Sequence, residues 1–413
     1  MKFFKRWFGA ATELEPDTEY GGYELLETFP ASVSGQTVTP DNAMRLATVY
    51  SCIRVLAESI AALPLHLYKH KAGGGKELAK DHPLYSVLHD LPNRDVTSFD
   101  LRENLVGHLC LRGNAYCQII RDGAGRVREL VQLPTDNTTV RRNEKTKKLV
   151  YATLLNGRDY ELREDQVWRL NAMGSDGIIG SSPIALQRES LGLSAATQEH
   201  GAMLFGNGAR PSGILTTDGR LNEEGRKALA ESWKKAHGGK NANGVAVLEH
   251  NLKWQALTMT SEDSQFLETR KYQRNEICGI FRVPPHMIAD LERATFSNIE
   301  HQDLAFVRHS LVPWLVKIEQ SITRDLLLPS ERKKYFVKFN IEGLLRGDTA
   351  ARAAFYNRMF SIGVMSQNDI RALENMNPIE DGDRYFVPLN MTTVEELDKE
   401  QDNEKLVSDK SKS

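Results

Sequence analysis

A long stripe of apolar residues at helical spacing lies in the C-terminal half of the chain. Its members are Leu304, Val307, Leu311, Leu315, Ile318, Ile322 and Leu326. Spacings of three and four residues over roughly eight turns predict one helix of about 45 Å. The capping-box pattern of Ser297 and Glu300 predicts where it starts. Pro313 lies inside the stripe, and because proline cannot donate a backbone hydrogen bond, we expect a kink there rather than an end.

A more polar helix is predicted just before this stripe. Ser261 can cap its first turn, and the pair Pro284 and Pro285 must end it and force Val283 out of the helical region. Up to Phe281 the apolar residues are few, and charged residues cover most of the circumference. A helix of this composition is expected to face water on one side and a neighbour on the other.

Elsewhere, helical and strand patterns alternate, which is typical of a mixed fold. The patterns predict helices at 39–63, 82–89, 98–112, 182–205, 221–237 and 348–362, and a further one from 366. They predict strands at 65–69, on both sides of the glycine-containing turn 122–125, and at 245–250 and 252–259, and a strand followed by a turn within 335–348. The polar, charged segment 393–413 is predicted to be disordered.

Composition narrows the class of protein. The chain has 413 residues, of which 40% are apolar, which suffices for two or three domains. A mean hydropathy of -0.44 and the lack of an apolar run of about 18 residues argue against a transmembrane helix, and we expect no membrane partner. The formal net charge is -2, whereas a protein that grips DNA usually carries a basic excess. If this chain handles DNA, we expect the DNA to slide along the protein instead of being held tightly.

The sequence lacks the common motifs of catalysis and metal binding. It has no P-loop, no G-x-S-x-G and no H-E-x-x-H pattern. The four cysteines include no C-x-x-C pair, and we expect Cys52 and Cys278, which fall in helical patterns, to be small buried apolar residues. The basic run 141–148 lies at a predicted hairpin turn, where charge usually solvates a loop, and contact with nucleic acid stays open. We expect no enzyme activity, no cofactor and no metal.

One segment resembles the portal proteins, the head–tail connectors of tailed bacteriophages, in their short-chain siphophage-type branch. It is CGIFRVPPHMIADLERATFSNIEHQDLAFVRHSLVPWLVKIEQSITRDLL at 278–327. HPLYSVLHDLPN and GNAYCQIIRDGAGRVREL are also similar to that family, whereas VWRL at 167–170 lacks the histidine of the family's strand. The resemblance implies an α+β portal fold with a mixed α/β wing, a two-helix stem, a small β clip, a long kinked spine helix and a helical C-terminal crown.

The resemblance also implies how the chain is divided. The segments are an N-terminal arm (1–38), the α/β wing (39–220), stem helix 1 (221–237), the clip (238–260), stem helix 2 (261–283), the tunnel loop (284–297), the spine helix and a wing strand (298–347), the crown helices (348–392) and a disordered tail (393–413).

Three groups of candidate site residues follow from the resemblance. The tunnel loop is expected to contact DNA phosphates reversibly through Met287, Ile288, Asp290, Leu291, Glu292, Arg293 and Thr295. The stem is expected to line the channel with Lys234, Lys235, Arg270, Lys271 and Arg274. The clip is expected to dock partners through Lys240, Asn243, Glu249, His250, Lys253 and Trp254.

The charge of the second stem helix carries a further expectation. Arg270 and Arg274 are four residues apart and share a helix face. Because the overall balance is slightly acidic, we expect the stem cations to pair with Glu262, Glu268 or Glu276 on the same or a neighbouring helix. Little net positive field would then remain on the channel wall.

The implied function is that of a subunit of a ring, usually of twelve copies, at one capsid vertex. Such a ring is the conduit for double-stranded DNA during packaging and ejection. The implied partners are the terminase large subunit, a head-completion or adaptor protein and the major capsid protein, with assembly in the host cytoplasm before incorporation into the virion. Two alternatives stay open: a metal-dependent DNA-processing enzyme with carboxylate ligands, and a non-portal capsid or scaffold protein.

Overall fold

Helices and short antiparallel sheets alternate along the chain. The computed structural model describes residues 12–13, 30–71, 75–155, 157–174, 176–206, 213–216, 223–225, 227–228, 231, 253–256, 261–292, 296–341, 349–374 and 376–386. The chain divides into two compact units, Met1–Phe339 and Asn340–Ser413.

In the first unit the helices are α1 (Pro40–Ala43), α2 (Ala47–Ala61), α3 (Pro83–His89), α4 (Ser98–Arg112), α5 (Pro183–Leu186), α6 (Arg188–Gly206), α7 (Ser261–Phe281), α8 (Phe296–Ala305) and α9 (Val312–Asp325). Its strands are β1 (Thr12–Glu13), β2 (Leu65–His70), β3 (Lys76–Leu78), β4 (Asn114–Arg121), β5 (Val127–Gln132), β6 (Thr138–Arg142), β7 (Leu149–Leu155), β8 (Arg158–Arg163), β9 (Val167–Asn171), β10 (Gly213–Thr216), β11 (Lys253–Ala256) and β12 (Tyr335–Phe339). Residues 223–225, 227–228 and 231 are also helical, within the helix predicted at 221–237. The second unit contains α10 (Thr349–Ser361) and α11 (Gln367–Leu373).

The described strands form antiparallel sheets. Their strand orders are β1-β8-β7-β6, β12-β2-β3, β5-β4-β9 and β10-β11. In the β12-β2-β3 sheet, Tyr335 pairs with Lys69 and Phe339 with Leu65, so a strand from the end of the first unit completes a sheet near its start. The α+β fold predicted from the sequence is confirmed.

The apolar core of the first unit lies in two places. Helices α2 and α4 pack against each other, and Val49, Leu56, Val106 and Leu109 on them are at most 2% exposed. A second buried cluster is contributed by the strands and their connections: Tyr116, Leu133, Val140, Leu149, Tyr151, Leu162 and Val167. Removing such side chains from water is the main favourable contribution to folding.

Helix α4 shows how local sequence sets its own limits. The Thr97 hydroxyl accepts a hydrogen bond from the backbone N–H of Asp100 at 3.2 Å, and the Asp100 carboxylate accepts one from the N–H of Thr97 at 3.0 Å. Gly113 follows the last turn with a φ of 72°, which glycine adopts without steric cost. The prediction of a helix at 98–112 is confirmed.

Two predicted helices are interrupted in the structure. The pattern at 39–63 predicts one helix, but Thr39 caps only the short α1, and α2 begins after Leu46. The backbone of Leu46 is extended, with φ -76° and ψ 113°, while its side chain stays buried, so the stripe continues although the helix does not. In the same way Gln187 separates α5 from α6 within the helix predicted at 182–205.

The helix under the apolar stripe passes Pro313 as predicted. Between α8 and α9 lies a π-helical segment, Phe306–Leu311, and the N–H of Val312 donates to the carbonyl of Val307, five residues back. A π-helical turn contains one residue more than an α-helical turn, and here it lies directly before Pro313. Because proline has no N–H, the α-helical hydrogen-bond pattern must lose one bond at that position. The helix therefore resumes without a loop, and the size of the kink stays a prediction.

Two details of the predicted stripe are wrong. Helix α8 begins at Phe296, so Ser297 lies inside the first turn instead of capping it. Leu304 is 45% exposed, because α8 presents it to solvent, whereas the other members of the stripe are buried. The packed face therefore begins at the π-helical segment rather than at the start of α8.

Folding favours the neutral form of the His66 side chain, and this predicts that the stability of the fold depends on pH. His66 stacks on the rings of Tyr85 and His89, with centroid distances of 6.1 and 5.0 Å. Burial, and then the nearby His89 and Lys80, lower the pKa of His66. The unfolded chain therefore binds this proton more readily, and stability is lost as the pH falls below the unfolded value of about 6.5.

We expect His66→Phe, which keeps the stacked ring, to reduce the loss of stability between about pH 7 and pH 5.5. The measurement is the urea midpoint of the purified chain at both pH values. The same substitution at His301, which is exposed on α8, serves as the control and should leave the difference unchanged. An unchanged pH difference in His66→Phe would contradict the assignment.

Candidate functional site

The end of α7 is closed by backbone hydrogen bonds that turn the chain sharply. The N–H of Val283 donates to the carbonyl of Cys278 at 3.0 Å, and the N–H of Arg282 donates to the carbonyl of Gly279 at 3.2 Å. Arg282 has a φ of 54°, as in a Schellman motif. Residues Pro285–Ile288 then form a 3-10 turn. The prediction that the two prolines end the helix is confirmed, and the helix stops at Phe281, two residues before the predicted bound of 283.

The 282–292 loop that follows is attached to α7 by two ion pairs. Arg274 pairs with Asp290, and Lys271 pairs with Glu292. The two pairs differ in environment: the Asp290 side chain is 10% exposed, whereas the Glu292 side chain is 58% exposed. The loop therefore lies back along the helix that precedes it.

The same loop is attached to α8 and to the π-helical segment. The His286 ring lies with Nδ1 2.8 Å from Oε1 of Gln302 and Nε2 2.9 Å from Oδ1 of Asp303. The Ser310 hydroxyl donates to the carbonyl of Arg282 at 2.6 Å. Sequence reasoning missed these groups, since they lie far from the loop along the chain and belong to no motif. The loop is consequently fixed at both ends and on two helices.

An open cleft of about 620 Å³ lies between α7, the 282–292 loop and α8. Tyr272, which is 70% exposed, and Asn275 line it from α7, while His286 and Gln302 line it from the other two elements. Fixed charges and hydrogen-bonding groups thus share one open surface. Such a surface suits noncovalent contact with a charged partner.

Within one subunit the α7 cations have partners other than those expected, while pairing between neighbouring subunits stays a prediction. Lys271 and Arg274 pair with carboxylates of the loop in the same subunit, and no ion pair of Glu268 or Glu276 is found among the described residues. The reason is the turn at the two prolines, which brings Asp290 and Glu292 alongside α7 in a way that helical periodicity cannot show. Arg270 is exposed and has no ion-pair partner within the described part of the chain.

The other tunnel-loop candidates are only partly described. Met287 and Ile288 lie in the 3-10 turn and are partly buried, and Leu291 is 62% exposed. Arg293 and Thr295 lie outside the described residues, as do the stem candidates Lys234 and Lys235. Their roles stay predictions.

The clip candidates are described for one strand. Lys253 and Trp254 lie in β11, which pairs with β10 so that Trp254 is opposite Leu215. This strand pairing joins the predicted clip to a strand in the segment assigned to the wing. The remaining clip candidates, which lie outside the described residues, are Lys240, Asn243, Glu249 and His250.

Helix α7 is also packed against the first core. Cys52 on α2 and Cys278 on α7 are both buried, as predicted. Gln273 on α7 donates from Nε2 to the Thr197 hydroxyl of α6 at 3.0 Å. One side of α7 is therefore buried against α2 and α6, while residues such as Tyr272 face solvent.

Two searches of the described residues bear on the kind of site. No group of three or more His, Cys, Asp or Glu side chains is placed there to hold a metal ion. Within the same residues, no helix has the length and apolar character needed to cross a membrane.

The two ion pairs should contribute unequally to stability. We expect Arg274→Ala to lower the free energy of unfolding by about 2 kcal/mol, because it leaves the mostly buried Asp290 carboxylate unpaired. Lys271→Ala should lower it by about 0.5 kcal/mol, since both members of the Lys271–Glu292 pair are exposed. Urea unfolding of the two variants and the parent chain measures the difference. Equal losses would show that burial of Asp290 does not matter.

Comparison with known proteins gives a consistent result. A sequence model of the family described as phage portal protein matches residues 47–375. The portal protein of Enterobacteria phage HK97 is 30% identical over 387 residues, which cover 92% of this chain and 89% of that protein. The "Probable portal protein" of Streptomyces phage phiC31 is 33% identical over 392 residues, covering 88% of this chain and 82% of that protein.

Solved structures show a similar fold. A chain from the neck of an empty gene transfer agent particle, computed with C6 symmetry, has a TM-score of 0.60 at 23% identity and covers 86% of this chain and 98% of its own length. A chain from the neck of the native particle, computed with C12 symmetry, has a TM-score of 0.57 at 22% identity, with coverage of 82% and 94%.

Proposed function

The chain belongs to the phage portal protein family, and on that premise we propose that its copies, usually twelve, close into a ring around an axial channel at one capsid vertex. The observation that carries this proposal is the match of the family model to residues 47–375, together with relatives about 30% identical over most of the chain. The C6 and C12 symmetry of the gene transfer agent necks, whose chains have a similar fold, supports a closed ring.

The ring is the conduit for double-stranded DNA, which enters during packaging and leaves during ejection. In this proposal α7 and the 282–292 loop form part of the channel wall. The pairing of Lys271 with Glu292 and of Arg274 with Asp290 neutralises two cations of that wall within each subunit. Because affinity for DNA rises with every cation that neutralises a phosphate, a wall of paired charges favours sliding over gripping.

The proposed partners are proteins that meet the ring at different stages. The clip, 238–260 with Lys253 and Trp254, docks the terminase large subunit during packaging and a head-completion or adaptor protein afterwards. The major capsid protein surrounds the ring, which assembles in the host cytoplasm and remains in the virion. The subunit acts through binding surfaces, without covalent chemistry.

Imaging of the purified full-length chain by negative-stain electron microscopy tests the proposal. We expect rings with a central hole. A monomer with magnesium-dependent nuclease activity would favour the DNA-processing enzyme instead. Closed spheres or flat sheets would favour the capsid or scaffold protein. The family match is the observation that places the portal hypothesis ahead of both.

Sliding predicts weak binding of duplex DNA by assembled rings. We expect the binding constant to fall only slightly between about 50 and 200 mM salt, because few phosphates are held at once. The measurement is fluorescence anisotropy of a labelled duplex across a salt series. Arg270→Ala and Arg274→Ala are compared with Arg308→Ala, whose exposed side chain lies in the π-helical segment. Tight binding with a steep salt dependence, lost in the first two variants only, would show that the channel grips.

A further inference from the structure

A second cleft, of about 460 Å³, lies where the first turn of α2 meets α6 and α7. We call it the α2 cleft. Residues 46–48 line it from α2, Ser194 from α6, and Arg270, Gln273 and Arg274 from α7. None of these positions belongs to a motif; the serine hydroxyl, the glutamine amide and the two guanidinium groups among them can bind small anions.

The start of α2 directs uncapped backbone N–H groups into this region. Leu46 occupies the N-cap position and has no side chain that can accept a hydrogen bond, in contrast to Thr97 at the start of α4. Within the described residues, the N–H groups of Ala47, Thr48 and Val49 have no backbone or side-chain acceptor. The first turn of a 15-residue helix carries a partial positive charge, which attracts anions.

Two residues that line the α2 cleft carry buried polar atoms without hydrogen-bond partners among the described residues. Ser194 is 3% exposed, and its hydroxyl has no hydrogen-bond partner among the described residues. The Nε of Arg274 is also buried without a partner there. A hydroxyl and a guanidinium N–H can both donate to an oxyanion, and leaving such donors buried and unpaired is unfavourable.

A third buried atom without a partner, Gln273 Oε1, accepts hydrogen bonds instead of donating them, and this limits which anions can fit the cleft. Gln273 is 4% exposed; its Nε2 donates to the Thr197 hydroxyl, and its Oε1 has no partner within the described residues. The Thr197 hydroxyl itself donates to the carbonyl of Leu193 at 2.8 Å, so it must accept from Gln273, and this fixes Oε1 as the free atom. A carbonyl oxygen can only accept, so the complementary ligand must carry a proton as well as negative charge.

Positive and negative side chains both surround the α2 cleft, so we expect it to bind an anion only weakly. Arg270 is a cation without an ion-pair partner among the described residues, while Lys271 and Arg274 are already paired with carboxylates of the loop. Glu268 also lines the cleft and opposes an anion. The attraction therefore comes mainly from Arg270, the α2 N-terminus and the buried donors.

We propose that the α2 cleft binds a phosphate oxyanion that carries a proton, such as inorganic phosphate at neutral pH. The Ser194 hydroxyl, the Arg274 Nε–H and the first N–H groups of α2 donate to its oxygens, Arg270 supplies charge, and Gln273 Oε1 accepts from its P–OH. This site goes beyond the portal function, because a single subunit contains it and neither a ring nor DNA is needed.

Calorimetric titration of the full-length chain with sodium phosphate at pH 7 tests the site. We expect a dissociation constant on the order of 1 mM. Sulfate, which has the same shape but no proton, should bind at least about tenfold more weakly, since it cannot donate to Gln273. Duplex DNA, whose phosphodiesters also lack a proton, should not compete with phosphate. Equal binding of sulfate, competition by DNA or absence of any phosphate heat would each overturn the proposal.

Matched variants separate the site from general effects of substitution. Ser194→Ala should weaken phosphate binding about tenfold through loss of one charge-assisted hydrogen bond. Ser190→Ala removes an equally unpartnered hydroxyl one turn earlier on α6, outside the cleft lining, and should change nothing. Arg270→Gln should also weaken binding, whereas Arg308→Gln should not. If Ser190→Ala weakened binding as much as Ser194→Ala, the loss would be structural and the proposal wrong.

Discussion

Gly113→Ala is expected to lower the free energy of unfolding by about 4 kcal/mol. Two costs combine at this position. The backbone has a φ of 72°, and a Cβ atom would lie 2.3 Å from the carbonyl oxygen of Ser181 and 2.8 Å from that of Gly180. Because both neighbours are backbone atoms, a rotamer change cannot relieve the overlap. Urea unfolding of the purified chain measures the loss.

Gly125→Ala is the matched control for this substitution. Gly125 also has a positive φ, 80°, but the nearest atom to an added Cβ is a side-chain carbon of Leu328 at 3.7 Å. It should therefore show only the conformational cost, about 1 kcal/mol. The difference between the variants measures the close approach of Gly113 to the 180–181 backbone, where Asn114 also donates to the Gly180 carbonyl at 2.7 Å. Similar losses in both would contradict this account.

Glu319→Ala is the second substitution from which we expect a large effect, a loss of about 3 kcal/mol. Glu319 lies on α9 and is 8% exposed. Its carboxylate accepts from the Lys338 ammonium at 2.7 Å and from the backbone N–H of Phe339 at 2.9 Å, both on β12. Alanine removes both acceptors and leaves the buried N–H of Phe339 without a partner.

Glu319→Gln separates the two contacts. Its amide oxygen can still accept from the Phe339 N–H, and the Lys338 side chain, which is 51% exposed, can turn to water. The expected loss is therefore about 1 kcal/mol. Chemical unfolding of the two variants beside Lys338→Met gives the comparison. A glutamine variant as unstable as the alanine variant would show that the ion pair, rather than the backbone contact, joins α9 to the sheet.

Much of the fold could be predicted because its signals are local. Thr97 and Gly113 mark the two ends of α4 within one turn of each, and the prolines at 284 and 285 end the α7 pattern whatever surrounds it. Such caps and breakers act through the backbone of their immediate neighbours. Leu46 shows the limit: its apolar side chain fits the stripe, yet its backbone is extended, and the pattern of side chains does not report that change.

The candidate site could be predicted less well, because its contacts join residues distant in the sequence. The position of the 282–292 loop was expected, but the pairing of Arg274 with Asp290 depends on the direction in which the loop leaves the turn. The same holds for the strand pairing of β11 with β10. Periodicity describes which face of one element is apolar, and it does not select the partner of an exposed charge.

The pairing of β2 with β12 constrains the order in which a new chain can fold. Leu65–His70 leaves the ribosome early, but one of its edges stays open until Tyr335–Phe339 has been synthesised, after α7, the 282–292 loop and α9. An open strand edge invites pairing with other chains and binding by chaperones. A polypeptide that stops before Tyr335 therefore cannot complete this sheet, and the native sheet forms only in chains whose translation has passed that point.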